Sequence, residues 1–364
     1  MRKNGLTLTI ISLALISANS SFGQGKDSSK FTISGYLDFY YALYNDSVGS
    51  GKFQKFPTVS PVSNNFGINI AQLSLNYDSR NIRGKVILHY GDLPRSAWAG
   101  DHNYIQKAHV GIRIFKDAWI DAGFFRTHFG TEGLLPKENI SSSVSTNTFY
   151  EPYFESGIRL DYAINAKWLL DIYVLNGYNI FTDNNKKKSI GLYLNFTPNA
   201  RLNLGYSNYL GDDTPESINI PHFRIHQNLF VNYQKDKLTV QAGTDFCLQQ
   251  NSQLKDTTKW ANMFSGVASV KYGFSKNFSV YGRGEFFNDP DGFMSAVISD
   301  NTGKLTGYKL WGITTGLEYT PTATSYIRLE GRQLMMNSAQ EIFRRDGKNM
   351  NSRGEIMLNM GMTF

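Results

Sequence analysis

Six histidines, His89, His102, His109, His128, His222 and His226, are the groups in this 364-residue sequence most apt for chemistry at neutral pH. His222 and His226 share one face of an extended strand, but four residues of extended chain separate them by about 13 Å, too far for one metal ion. The lone Cys247 excludes a disulfide framework and a cysteine-built zinc site. A covalent hydrolase needs a nucleophile within reach of a base. No Gly-x-Ser-x-Gly elbow occurs, and His128, close to Ser141, Ser142 and Ser143, is the one suggestive pairing. A rim or lumen histidine explains it more simply, and His222 and His226 read as solvated loop and lumen residues. Gly49-Ser50-Gly51-Lys52 fails as a phosphate loop, because Asp46 stands where its first glycine belongs and Phe53 where Ser or Thr should follow. Asp289-Pro290-Asp291-Gly292 is a turn without the remaining ligand spacing of a calcium loop. The expectation is no catalytic residue, no metal and no cofactor.

What remains is charge at a fixed spacing. Arg159 and Asp161, Arg283 and Glu285, and Arg328, Glu330 and Arg332 stand at alternate positions between apolar neighbours, and Arg201 and Arg224 fall on the same polar parity. Strands with two unlike faces position residues this way. In the last ten residues Ile356, Leu358, Met360, Met362 and Phe364 share one face, while Glu355, Asn359, Gly361 and Thr363 share the other. Sixteen such segments occur, centred on Gly35, Leu73, Val86, Val110, Gly123, Leu160, Ile172, Leu192, Leu204, Leu229, Ala242, Ala268, Tyr281, Ile313, Leu329 and Leu358. Seven short turns, at 78–81, 116–117, 165–167, 197–200, 234–237, 275–277 and 321–324, interleave with eight long connections, the third spanning 131–154.

A soluble sandwich also alternates, but it turns its polar face to water and its apolar face to a core. Here charge recurs on the polar faces along the length of the chain, so a closed sheet standing in lipid around a water-filled lumen fits better. The alternation of short turns with longer loops points the same way. The fold class is all-β, an antiparallel transmembrane barrel of about sixteen strands. Tyr77, Tyr90, Trp119, Trp168, Tyr233, Tyr272, Trp311, Tyr319 and Phe364 are expected in two girdles at headgroup level. Charged residues make up 18%, below the usual share of about 25%, and the formal charge of +7 is too diffuse to mark nucleic acid as a partner. A mean hydropathy of −0.34 argues against membrane helices.

Residues 1–23 form a signal peptide: Arg2 and Lys3, an apolar stretch from Leu6 to Ala18, then small residues before a cut between Gly23 and Gln24. The exported domain is then 24–364.

The pattern resembles Gram-negative outer-membrane porins, in particular the OmpL-like β-barrel porins of Bacteroidetes-type bacteria. Three features carry the resemblance. The chain ends in Met362-Thr363-Phe364, similar to the terminal aromatic signature read by the β-barrel assembly machinery. Gly123-Phe124-Phe125-Arg126-Thr127-His128-Phe129-Gly130-Thr131-Glu132, with Asn139, Ser141, Ser142, Ser143, Tyr150, Glu151, Pro152 and Gly157 beyond it, looks like that family's strand and long serine-bearing loop. Sixteen strands with the third loop longest match general porins. The resemblance implies that the third loop folds inward and brings Glu132, Glu138 and Glu151 towards the wall, where Arg159, Asp161, Arg201, Arg224, Arg283, Glu285, Arg328, Glu330 and Arg332 complete a constriction of both charge signs. It implies passive diffusion of small hydrophilic solutes, and the near balance of basic and acidic residues on the strands' polar faces points to weak charge selectivity. It also implies an outer-membrane location amid lipid and lipopolysaccharide, and a homotrimer. A substrate-specific channel, a barrel hydrolase and a purely structural barrel are the alternatives.

Overall fold

The computed structural model describes residues 29–48, 51–98, 100 and 102–364. The expected leader and its cut at Gly23 and Gln24 lie outside the described residues.

Strict alternation becomes strand because an extended backbone sends successive side chains to opposite faces. The strands are β1 (Lys30–Tyr44), β2 (Asn65–Asp78), β3 (Ile82–Tyr90), β4 (Ile105–Phe115), β5 (Ala118–Arg126), β6 (Phe154–Asn165), β7 (Trp168–Leu175), β8 (Ser189–Asn199), β9 (Leu202–Asp212) and β10 (Phe223–Lys235). They continue as β11 (Leu238–Gln249), β12 (Ala261–Gly273), β13 (Phe278–Asn288), β14 (Ile298–Ser299), β15 (Leu305–Thr306), β16 (Lys309–Tyr319), β17 (Ser325–Met336), β18 (Phe343–Arg345), β19 (Lys348–Met350) and β20 (Ser352–Thr363). A short helix, α1 (Asp92–Ala97), stands in the second long loop. β14 with β15 and β18 with β19 are small hairpins inside the last two long loops.

The other sixteen strands pair antiparallel in chain order, and β20 returns to β1 with Tyr36 opposite Thr363 and Tyr44 opposite Glu355. Closure leaves no edge in search of a partner. Each of the sixteen expected segments is one of these strands. Along β16 burial switches residue by residue from Leu310 to Tyr319. Its outward Ile313 is 61% exposed, while inward Thr314 and Glu318 are buried. Such a surface is unfavourable in water and favourable in hydrocarbon.

Four inward aromatic rings stand directly opposite a glycine on the next strand: Tyr40 and Gly67, Phe230 and Gly205, Tyr281 and Gly316, Tyr326 and Gly361. A Cβ on any of these glycines would strike the opposite ring, so each ring fills the place of the missing side chain.

Three expectations fail locally. The turn between β8 and β9 is residues 200–201 rather than 197–200. Proline lacks a ladder donor, but Pro198 is accommodated by a register shift between Phe196 and Asn199, which lets the strand run on. Trp119 is not in a lipid-facing girdle: it stands on the inner face between Arg83 and Arg113, whose guanidinium carbons lie 4.6 and 4.8 Å from its ring centroid. The lumen, thirdly, is not a uniform water column. Val59, Leu93, Leu134, Leu135, Val144 and Phe149 from three long loops pack on Tyr36, Ile70 and Tyr326 of the wall. Phe56 and Phe343 pack on Cys247, Met263, Phe287, Leu310, Leu334 and Met336. Where the inner parity carries apolar residues, loops cover them, because water would not.

Candidate pore and its internal loop

Residues 127–153 join β5 to β6, yet they bond to strands around the whole barrel. Lys137 donates to Gln72 of β2 at 3.0 Å, and Ser207 of β9 donates to the carbonyl of His128 at 2.8 Å. Gln241 of β11 donates to the carbonyl of Thr131 at 2.6 Å. Arg328 of β17 donates to the carbonyls of Pro136, Asn139 and Ser141 at 2.8, 3.0 and 3.0 Å. A segment that touches β2, β9, β11 and β17 at once runs through the interior.

Its attachment to the β13 and β17 wall is an exchange of charge for backbone. Glu330 accepts from the amides of Ser142 and Ser143 at 2.7 and 3.0 Å, and Glu285 accepts from the amide of Thr146 at 2.6 Å. Arg283 donates to Glu132 at 3.1 Å, to the Ser141 hydroxyl at 2.8 Å and to the Ser143 carbonyl at 2.5 Å. Arg332 is 2.7 Å from Glu285. Buried charges persist only when paired and hydrogen-bonded, and both conditions are met. Arg283, Arg328 and Arg332 are each 3% exposed. They hold the loop, where the expectation had hydrated lining.

The remaining candidates are distributed elsewhere. Arg159 lies 2.5 Å from Asp121 and 3.6 Å from Asp161, and Arg83 bridges Asp121 and Asp161 at 2.5 and 2.8 Å, forming a separate cluster across β3, β5 and β6. Arg224 bonds Gln249 at 2.6 Å and stacks on Tyr178, at the loop end. Arg201 leaves the wall altogether: the bulge at Pro198 places it in the exposed turn, on the rim of a cavity of about 470 Å³. Glu138 is chelated by Arg126 at 2.5 Å through both oxygens; burial alone would raise its carboxyl, and the guanidinium outweighs that and holds it below the ordinary range. Glu151 accepts from Asn147 at 2.9 Å and shares a hydrogen bond with Asp245, and burial beside that second carboxylate pushes its own carboxyl well above the ordinary range.

Both ring nitrogens of His128 are taken, by Glu155 and by the Asn208 carbonyl, each at 2.8 Å, so neither serves a serine hydroxyl. His226 is buried against Asp245 at 3.0 Å rather than solvated, because Tyr178 and Phe129 close over it. Among the described residues no cluster of three His, Cys, Asp or Glu is placed to hold a metal.

The backbone amides of 142, 143 and 146 are ligands of the wall carboxylates that the sequence does not reveal. Side-chain parity is blind to main-chain donors; the only signal was a run of small residues that permits close approach.

A closed barrel that is apolar outside, polar inside and threaded by its third long loop defines an outer-membrane porin. The family model described as "Putative beta-barrel porin-2, OmpL-like" matches residues 30–364, and the chain belongs to that family. It is a channel protein of the Gram-negative outer membrane. Among solved structures it resembles an anion-selective porin from Comamonas acidovorans, with a TM-score of 0.61 and 8% identity over 92% of this chain and 100% of that chain. It also resembles the outer-membrane channel DcaP of Acinetobacter baumannii, with a TM-score of 0.59 and 11% identity over 92% and 97% of the two chains. Salmonella typhi OmpF, solved with daunomycin, gives 0.59 and 12% over 92% and 98%. No curated protein sequence matches the chain.

Proposed function

We propose that this porin passes small hydrophilic solutes by passive diffusion, with weak charge selectivity, and that residues 127–153 set the narrowest part of the route. The observation that carries this reading is the loop itself, fixed at mid-barrel by Arg283, Arg328, Glu285 and Glu330. Weak selectivity follows from pairing: the wall charges nearest the loop are neutralised by partners, so little net field is left to sort ions. Glu132, Glu138, Glu285 and Glu330 act as fasteners in this reading, and Arg159, Asp161, Arg201 and Arg224 face the wider parts of the route. Export by a leader cut between Gly23 and Gln24, recognition of Phe364 by the assembly machinery, contact with lipopolysaccharide and assembly into a trimer belong to the same proposal. A solved neighbour, OmpT of Vibrio cholerae, is described in a trimer form.

Liposome swelling with graded sugars tests the core of it. Vesicles holding the folded barrel swell in small sugars and progressively less as solute size rises; vesicles that never swell, with no current in planar bilayers, overturn the reading. Strong cation or anion preference in reversal potentials overturns the weak-selectivity part alone.

A further inference from the structure

The barrel's inner wall is chemically lopsided. On β13, β16, β17 and β20 buried charges of both signs recur on the inner face, Arg283, Glu285, Glu318, Arg328, Glu330 and Arg332 among them. Nearest the turns of β8 to β11 the inward polar residues are uncharged amides and hydroxyls, half-buried except for the exposed Gln234. They face the cavity of about 470 Å³ that lies beneath the internal loop, whose ceiling is Lys137 to Ile140. That volume falls within the roughly 300 to 1,000 Å³ typical of small-molecule sites.

The hydrogen-bonding capacity of this wall is not used up internally. Asn203 donates to Asn195 and to Thr197, both at 2.9 Å, which fixes its orientation. Among the described residues the side chains of Asn232, Gln234 and Thr239 make no hydrogen bond, although all three line the cavity. Gln241 donates one amide hydrogen to the Thr131 carbonyl at 2.6 Å, while its own oxygen is buried without a partner. A buried acceptor left unmet is costly, so such an atom marks a place where a donor belongs.

Amides and hydroxyls present donors and acceptors side by side, and so does a polyhydroxylated sugar. An ion of either sign would use only half of them. The cations at the cavity are largely engaged elsewhere: Lys271 and Arg328 both pair with Glu318, at 2.9 and 2.7 Å, and Lys137 is held by Gln72 and the Tyr36 ring. Only Arg201, on the rim, is left for an anion. We infer that this vestibule is a binding site for an uncharged, polyhydroxylated solute of oligosaccharide type, held by Asn232, Gln234, Thr239 and Gln241. The inference rests on the porin reading for its physiological sense, but the site can be measured without transport.

Calorimetry on the folded barrel in detergent, titrated with maltotriose and separately with citrate, decides it. Maltotriose is expected to bind saturably, N232A combined with Q234A to weaken it about tenfold, and citrate to bind much less. R201A is expected to leave maltotriose affinity within about twofold. No saturable maltotriose binding, citrate binding preferred, or affinity unmoved by N232A and Q234A overturns the inference. In planar bilayers maltotriose should block current from the turn side at lower concentration than from the loop side, and block with the reverse sidedness also overturns it. Saturable binding to a barrel that carries no current would sink the porin reading while the site stands.

Discussion

Arg283 of β13 and Glu132 of the internal loop, 151 residues apart in sequence, meet at 3.1 Å with neither side chain open to solvent. The pair ties a connection between β5 and β6 to the far wall. Removing one partner of a buried ion pair costs about 3 to 5 kcal/mol, because the other charge is left uncompensated. The strand ladder does not depend on that pair, so R283A combined with R328A should still assemble as a barrel. Its internal loop should come free, and single-channel conductance should rise about twofold or more. An assembled variant with unchanged conductance would mean that the loop does not limit flow.

Tethering the same loop on its other side separates a fixed constriction from a moving gate. An ideal Cβ on Gly243 of β11 would lie 2.7 Å from the Thr131 Cβ. A disulfide prefers about 3.5 to 4.5 Å, so T131C with G243C needs a relaxation of about 1 Å to form one. Cys247 is buried and does not compete. With the loop as a static constriction, conductance before and after reduction should agree within about a factor of two. Current that begins only on reduction would show instead that the loop must swing aside.

Glu151 gives a pH signature. Its carboxyl is raised in the folded state by burial and by Asp245, so the native protein holds a proton that the unfolded chain, with an ordinary value of 4.5, releases earlier. Between that value and the raised one the folded state binds more protons, so stability falls as pH rises through the window. E151Q removes the titration. The urea midpoint of the folded barrel should decline with pH above about 4.5 in the parent and lose part of that decline in E151Q. Identical slopes in the two proteins would contradict the assignment.

Where the fold was legible, the signal was parity. Ile313 to Tyr319 and Ile356 to Phe364 alternate strictly enough that face, strand and outward direction follow from the sequence alone. Parity also placed Arg283, Arg328 and Arg332 inward correctly. It could not say what they would meet, because Arg283 and Arg328 bond main-chain carbonyls of a loop more than a hundred residues away, and Arg332 pairs with Glu285 on another strand. Pro198 misled in the opposite way: a local rule ended the strand early, whereas a bulge absorbed the proline and moved Arg201 into the turn. Trp119 was assigned by residue type to a girdle, although its own alternation with Ile120 already placed it inside.

The ring-over-glycine pairs connect the barrel to the loop. Tyr281 lies over Gly316 and donates its hydroxyl to Glu330 at 2.8 Å, the carboxylate that also accepts from Ser142 and Ser143. A Cβ at 316 would strike the Tyr281 ring, so the ring must tilt away and its hydroxyl must leave Glu330. Overpacking of this kind costs about 1 to 3 kcal/mol, and the lost hydrogen bond alone about 1 kcal/mol. G316A should therefore lower the urea midpoint more than Y281F does, and the double variant should cost less than the sum of the two. Both single variants should raise conductance modestly, since each weakens the same carboxylate's hold on the loop. Strictly additive stability losses, with conductance unmoved in either variant, would show that Tyr281 packs against Gly316 without helping to position Glu330.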